Sequence, residues 1–145
     1  MKPKNWDLVK KLQGNFDGNV KQFIVTGGVA LNLYGLVEYN DIGDLDIIII
    51  GPTDFLIEQL KNIEKLSPVK NRNEYLAELN KDLIRFELKG VNVDIFIEHE
   101  LKPELLWFDY VQINPLKHIL AAKKKQNRKK DVQFICDLTK AILSI

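Results

Sequence analysis

Asp44 and Asp46 stand two residues apart at the mouth of the most apolar run in the chain, Leu45 to Ile50, and Asp94 sits between Val93 and Ile95 in a later run of the same character. In a strand, side chains at i and i+2 share a face, so Asp44 and Asp46 are expected to point the same way while Leu45 and Ile47 enter the opposite layer. Sheet pairing could set Asp94 beside them. Three carboxylates in one low-dielectric patch repel one another unless a cation intervenes, and a hard divalent ion with oxygen ligands, Mg²⁺ or Mn²⁺, is the expected one. Two such ions about 4 Å apart would activate an attacking hydroxyl and stabilise a leaving pyrophosphate in an in-line displacement, which is phosphoryl-transfer chemistry. The competing reading is a solvated strand mouth. The glycine pair upstream and the hydrophobic-Asp-hydrophobic pattern downstream weigh against it.

Gly27-Gly28 falls between a short apolar stretch, Lys21 to Thr26, and the helix-like run Val29 to Tyr34, which Gly35 stops. Glycine lets backbone approach a ligand closely, and a helix beginning after it offers unpaired N–H groups to a phosphate, so a triphosphate could rest there. A tight turn alone would also account for both glycines.

The elements that must position these residues read as follows. Trp6, Leu8, Val9 and Leu12 fall near helical spacing, and a turn-prone stretch from Gly14 to Asn19 ends that helix. Leu45 to Ile50, with four consecutive isoleucines bounded by Gly51-Pro52, predicts a central strand buried on both faces. Thr53 or Asp54 can cap a helix ending near Ser67-Pro68. Strands are expected at Glu74 to Leu79, Asp82 to Leu88 and Val91 to Ile97, the last two joined by a tight Lys89-Gly90 turn. Tyr110 to Ile113 is expected as an edge strand, Pro115 opens a helix through about Lys125, and Asp131 to Ile145 forms a last one. The order predicts a mixed α/β (α+β) architecture, a mixed β-sheet with helices packed on it, in one domain over residues 1–145.

Composition narrows the function classes. A formal net charge of +1 over 145 residues does not call for nucleic acid or a membrane as partner. The single cysteine cannot form an intramolecular disulfide, and no Cys/His cluster has zinc spacing. A reducing cytoplasm is expected, with no membrane-spanning segment.

Other residues carry weaker signals. The basic run Lys123, Lys124, Lys125, Arg128, Lys129 and Lys130 could meet a triphosphate or an RNA backbone, or simply form solvated helix ends. His99 and His118 lack ligand spacing and receive no role. Trp107, Phe108 and Tyr110 could line an acceptor pocket, though aromatics in such company are more often core or interface. Arg85 and Glu87 share a hairpin face that either approaches the site or faces water. Cys136 is read as a small buried hydrophobe.

The segments Gly27-Gly28-Val29-Ala30-Leu31, Asp44-Leu45-Asp46 and Val93-Asp94-Ile95 together resemble the DNA polymerase beta nucleotidyltransferase superfamily. Within it the chain resembles the minimal nucleotidyltransferases that occur alone or in toxin–antitoxin and abortive-infection modules, and is similar in outline to small antibiotic nucleotidyltransferases. The likeness extends to Leu120-Ala121-Ala122-Lys123 followed by Arg128, Lys130 and Asp131. It implies a nucleotidyltransferase fold in which Asp44 and Asp46 hold both metals, and Asp94 holds the catalytic metal and helps deprotonate the acceptor hydroxyl. Gly27 and Gly28 seat the phosphates of ATP or another nucleoside triphosphate, and Lys123 and Lys130 face the nucleotide. A nucleoside monophosphate would pass to a hydroxyl on a protein, a tRNA or a small molecule. The sequence departs from common members at Asn40 and Ile42, where Arg and Thr or Ser often stand, and at Phe134, where an acidic residue is frequent. A catalytically degenerate binding module acting through a protein partner or as a homo-oligomer is the alternative expectation.

Overall fold

Side chains along the central strands alternate between two faces, and that alternation places the carboxylates. The computed structural model describes residues 2–16, 18–51, 67–68, 83–104 and 106–143. The helix expected over 53–66 and the strand expected over 74–79 lie outside these residues. In chain order the elements are α1 (Trp6–Phe16), β1 (Gln22–Thr26), α2 (Gly27–Leu33), β2 (Leu45–Ile50), β3 (Ser67–Pro68), β4 (Leu83–Leu88) and β5 (Val91–Glu98), then β6 (Leu106–Phe108), β7 (Val111–Ile113), α3 (Leu116–Gln126) and α4 (Val132–Leu143). The strands form one mixed sheet in the order β3-β4-β5-β2-β1-β7-β6. β2 runs parallel to β5 and β1 parallel to β7, while the other neighbours are antiparallel. The fold is therefore the mixed α/β arrangement expected, with helices packed on a mixed sheet.

On one face, Phe23 and Val25 of β1, Leu45, Ile47 and Ile49 of β2, and Val93, Ile95 and Ile97 of β5 meet the apolar stripe of α1 (Trp6, Leu8, Val9, Leu12, Phe16) and Val29, Ala30 and Leu31 of α2. Ile119 of α3 and Leu138 of α4 join the same core. The period-2 geometry sends the intervening side chains to the other face, where Ile24, Ile48 and Ile50 form a second buried cluster against Phe96. Burial of β2 on both faces follows. Gly35 ends α2 as expected, with φ of 78°, its N–H donating to Asn32 O and the Leu36 N–H to Leu31 O, so two otherwise orphaned carbonyls are satisfied.

The segment after β5 departs from expectation. Tyr110 to Ile113 was to be an edge strand, but β7 begins at Val111 and lies between β1 and β6. Leu106–Phe108 supplies the outer strand, and Tyr110 belongs to the hairpin turn, where Asp109 and Tyr110 have φ of 49° and 65°. Two successive left-handed residues match the twist of a two-residue hairpin but are unfavourable for tyrosine. Helix α1 holds that turn in place. Trp6 Nε1 donates to Asp109 Oδ2 at 2.8 Å, Lys10 Nζ to Asp109 O at 2.7 Å and Gln13 Nε2 to Tyr110 O at 2.9 Å. Trp6 also meets Phe108 edge-on, with centroids 5.2 Å apart.

Cys136 corrects another expectation, because it is exposed. Helix α4 turns Leu138 inward and rests Phe134 against the core, and two residues along a helix is roughly half a turn, so Cys136 falls on the outer side. Among the described residues no helix is long and apolar enough to cross a membrane.

Candidate functional site

One polar row crosses the second face of the sheet. Thr26 of β1 pairs with Asp46 of β2, Asp46 with Asp94 of β5, and Asp94 with Arg85 of β4. Asn114, just after β7, extends the row: its backbone N–H donates to Val25 O at 2.9 Å and its Nδ2 to Thr26 Oγ1 at 3.1 Å. Five neighbouring chain segments thus each contribute one polar side chain to a face otherwise lined by Ile24, Ile48 and Phe96. The row opens into a cavity of about 1090 Å³ whose walls include Gly27, Gly28, Asp44, Lys123 and Lys130. All seven residues expected at the site, Asp44, Asp46, Asp94, Gly27, Gly28, Lys123 and Lys130, line this cavity. A smaller cleft of about 480 Å³ between Trp6, Tyr39 and Lys89 holds none of them.

The three carboxylates differ in setting. Asp44 lies on the bend before β2 and is exposed, so it flanks the strand mouth instead of sharing a regular strand face with Asp46. Asp46 is half-buried. Asp94 is 2% exposed and is gripped from across the sheet by Arg85, with Nε 2.5 Å from Oδ1 and Nη2 2.7 Å from Oδ2. That bidentate bond raises the guanidinium pKa above its ordinary value against the cost of burial. Among the described residues Asp46 has no such partner, and burial together with the charges of Asp94 and Asp44 pushes its carboxyl up to about 8, only partly offset by Lys123 and Arg85.

A pH dependence follows from Asp46. Its folded pKa is raised, so between the ordinary carboxylate range and about 8 the folded protein holds a proton that the unfolded chain has released. Stability contributed by this group is present at low pH and is lost as pH rises through that window. The melting temperature of metal-free protein is expected to fall between about pH 5 and about pH 8. Asp46→Asn should flatten that fall, as read by thermal denaturation in a chelator; equal slopes in both proteins would contradict the assignment.

Gly27 explains how backbone comes so near this carboxylate. It has φ of +62°, and a Cβ built on it would overlap Asp46 Oδ2. Helix α2 begins at Gly27 itself, with Thr26 in extended conformation as its N-cap. Gly28 is different, since its Cβ would meet Ile42 at an ordinary 4.0 Å. Ile42 is a core residue only 3% exposed. Asn40 is exposed.

At the basic end of the cavity, Lys123 lies 3.8 Å from Asp131 Oδ1 and 4.9 Å above the Phe134 ring. Arg128 Nε donates to the other oxygen of buried Asp131 at 2.7 Å. Desolvation, with Arg128 and Lys130 nearby, lowers the Lys123 pKa against the opposing pull of Asp131 and Asp46. Lys123 and Arg128 of the basic run are therefore organised around one buried carboxylate.

Several residues on these walls had no assigned place. The hairpin pattern leaves Arg85 and Glu87 undecided between site and solvent, and the structure puts Arg85 in the row while Glu87 is exposed. Thr26 and Asn114 were not singled out, although each is a polar residue closing an apolar strand, directly before a glycine and a proline respectively. His118, given no role, lies on the cavity wall with Nδ1 buried and unpartnered among the described residues, as is Asn114 Oδ1. Trp107 and Tyr110 are 66% and 84% exposed and do not line the cavity.

The donor set suits a hard cation: carboxylate oxygens abreast on neighbouring strands, one of them made costly to ionise by the others. Among the described residues no three His, Cys, Asp or Glu side chains form a metal-holding group by themselves. Magnesium commonly takes one or two protein carboxylates and completes its shell with water and substrate phosphates, so a pair at the head of a cavity fits it. No family model, no curated protein and no solved structure matches this chain.

Proposed function

We propose that this protein is a metal-dependent nucleotidyltransferase of the DNA polymerase beta-like type, moving a nucleoside monophosphate from a nucleoside triphosphate to a hydroxyl acceptor. The observation that carries the reading is the register-aligned pair Asp46 and Asp94 facing a cavity beside a glycine that cannot bear a Cβ. Mg²⁺ or Mn²⁺ bound there would neutralise charge on the phosphates and polarise the bond to the leaving pyrophosphate. Asp46 and Asp94 would hold it, with Asp44 at the mouth. Gly27 leaves room for phosphate oxygens next to Asp46. Lys123 and Lys130 would meet the remaining triphosphate charge from the opposite wall. Asp94 would take up the proton of the acceptor hydroxyl as that oxygen attacks the α-phosphorus and pyrophosphate departs. The acceptor would be a protein, a tRNA or a small molecule, and an intracellular, cytoplasmic setting accords with nucleotide supply.

A second reading has an observation of its own. Asn40 stands where an Arg is frequent, and Leu106, Trp107 and Tyr110 leave an apolar patch on the outer hairpin, which favours a degenerate module working through a protein partner or a second copy, as in toxin–antitoxin pairs.

Calorimetric titration of ATP, GTP, CTP and UTP, with and without Mg²⁺, separates the two. The first reading expects binding that requires metal and weakens at least about tenfold, about 1.4 kcal/mol, in Asp46→Asn or Asp44→Ala. Full-strength binding by a folded variant would remove these carboxylates from the site. Silence from all four nucleotides would favour the second reading.

A further inference from the structure

The grip on Asp94 uses both of its oxygens. Arg85 sits directly opposite Asp94 in the antiparallel register, and the pair is well shielded, with side-chain exposures of 13% and 3%. Its fork supplies one N–H to each carboxylate oxygen. Those are the same two atoms a divalent ion would need. Among the described residues Asp46, the adjacent carboxylate, receives no comparable bond, and the cations that favour its charge are Lys123 and Arg85. Arg85 also lines the cavity, where a planar guanidinium matches phosphate oxygens as well as it matches a carboxylate.

We infer that Arg85 is the resident counter-ion of the carboxylate pair and withholds Asp94 from a divalent cation until a triphosphate draws the guanidinium away. This rests on the proposed metal site. Metal alone then meets an occupied Asp94 and an Asp46 whose partner is already neutralised, so it binds weakly. With nucleotide present the balance differs: phosphate oxygens would accept the Arg85 fork, leaving Asp94 free to hold the ion together with Asp46. Loading of the ion and of the nucleotide are thereby coupled through one side chain, and a metal-loaded site without substrate is disfavoured. Positioning is the role assigned to Arg85, since it acts through Asp94.

The test is Mn²⁺ binding followed by electron paramagnetic resonance on wild type, Arg85→Met and Arg85→Lys, each with and without ATP, alongside circular dichroism for folding. Mn²⁺ alone is expected to bind Arg85→Met about tenfold more tightly than wild type, because a full charge leaves the cluster. Arg85→Lys keeps the charge but not the fork and should fall between them, and it carries the test if Arg85→Met does not fold. With ATP present the advantage of Arg85→Met should vanish or reverse. Equal or weaker Mn²⁺ binding in both folded variants would overturn the inference and make Arg85 a mere support for Asp94. Mn²⁺ binding that Asp46→Asn leaves untouched in every background would instead remove the metal site itself, and this inference with it.

Discussion

Replacing Asp94 with alanine is expected to cost about 3–5 kcal/mol of folding stability, less whatever is regained by Asp46, because it strands a shielded Arg85 without its carboxylate. The sign is the informative part. Asp46→Asn, one strand away in the same row, should stabilise metal-free protein above about pH 8, since there it removes a charge whose ionisation is opposed by burial and by two neighbouring carboxylates. Two facing carboxylates thus give opposite effects, because one is paired and, among the described residues, the other is not. Urea unfolding of the two single variants, at a pH above 8 where Asp46 would be ionised, checks this directly. The double variant Asp94→Ala/Arg85→Met should recover most of the loss, as both charges then leave together. An Asp94→Ala loss below about 1 kcal/mol would place the pair with ordinary surface ion pairs and contradict its shielding.

Gly27→Ala should be almost as damaging. A left-handed backbone costs a non-glycine residue about 1–2 kcal/mol, and forcing a methyl into filled space typically costs about 1–3 kcal/mol more. The methyl's neighbour here is Asp46 Oδ2, so relief comes by pushing that carboxylate out of the row. Metal-dependent nucleotide binding is therefore expected to fall at least about tenfold, by the same calorimetry that tests the proposed function. Gly28→Ala is the control. Its φ is not left-handed and its Cβ would find Ile42 at 4.0 Å, so stability should hold or rise by up to about 1 kcal/mol from helix propensity. Equal loss at both positions would mean that the approach to Asp46 is not what demands glycine.

Much of the architecture was legible because its signals are local. Four isoleucines in a row bounded by Gly51-Pro52 can hardly be anything but a strand buried on both sides, and Lys89-Gly90 between two apolar runs is a hairpin turn by conformational necessity. Pro115 opened α3 and Gly35 closed α2 for the same kind of reason. The misreadings are instructive where local signals conflict. Leu106–Phe108 is too short for its alternation to be read, and the turn that pairs it with β7 uses a left-handed Tyr110, a residue that advertises no turn. Hydrogen bonds from Trp6, Lys10 and Gln13, about a hundred residues away, hold that turn in place. Cys136 lay among apolar neighbours that suggested burial, yet the side of α4 that faces inward depends on how α3 and α4 pack.

For the site, the sequence by itself determined the chemical inventory. It placed carboxylates at the openings of apolar strands, a glycine pair at a strand-to-helix junction, and a cluster of cations near the C-terminal helices, each a consequence of residue type and short-range spacing. Tertiary structure decided the alignment. Asp46 faces Asp94, and Arg85 faces Asp94 in turn, only because β2 pairs with β5 in parallel and β4 with β5 in antiparallel fashion, in one register. A shift of a single residue in either pairing would send one partner through the sheet to the apolar face. That register is set by long-range packing of Leu45, Ile47, Val93 and Ile95 in the common core, so which cation neutralises which carboxylate is a property of the assembled sheet.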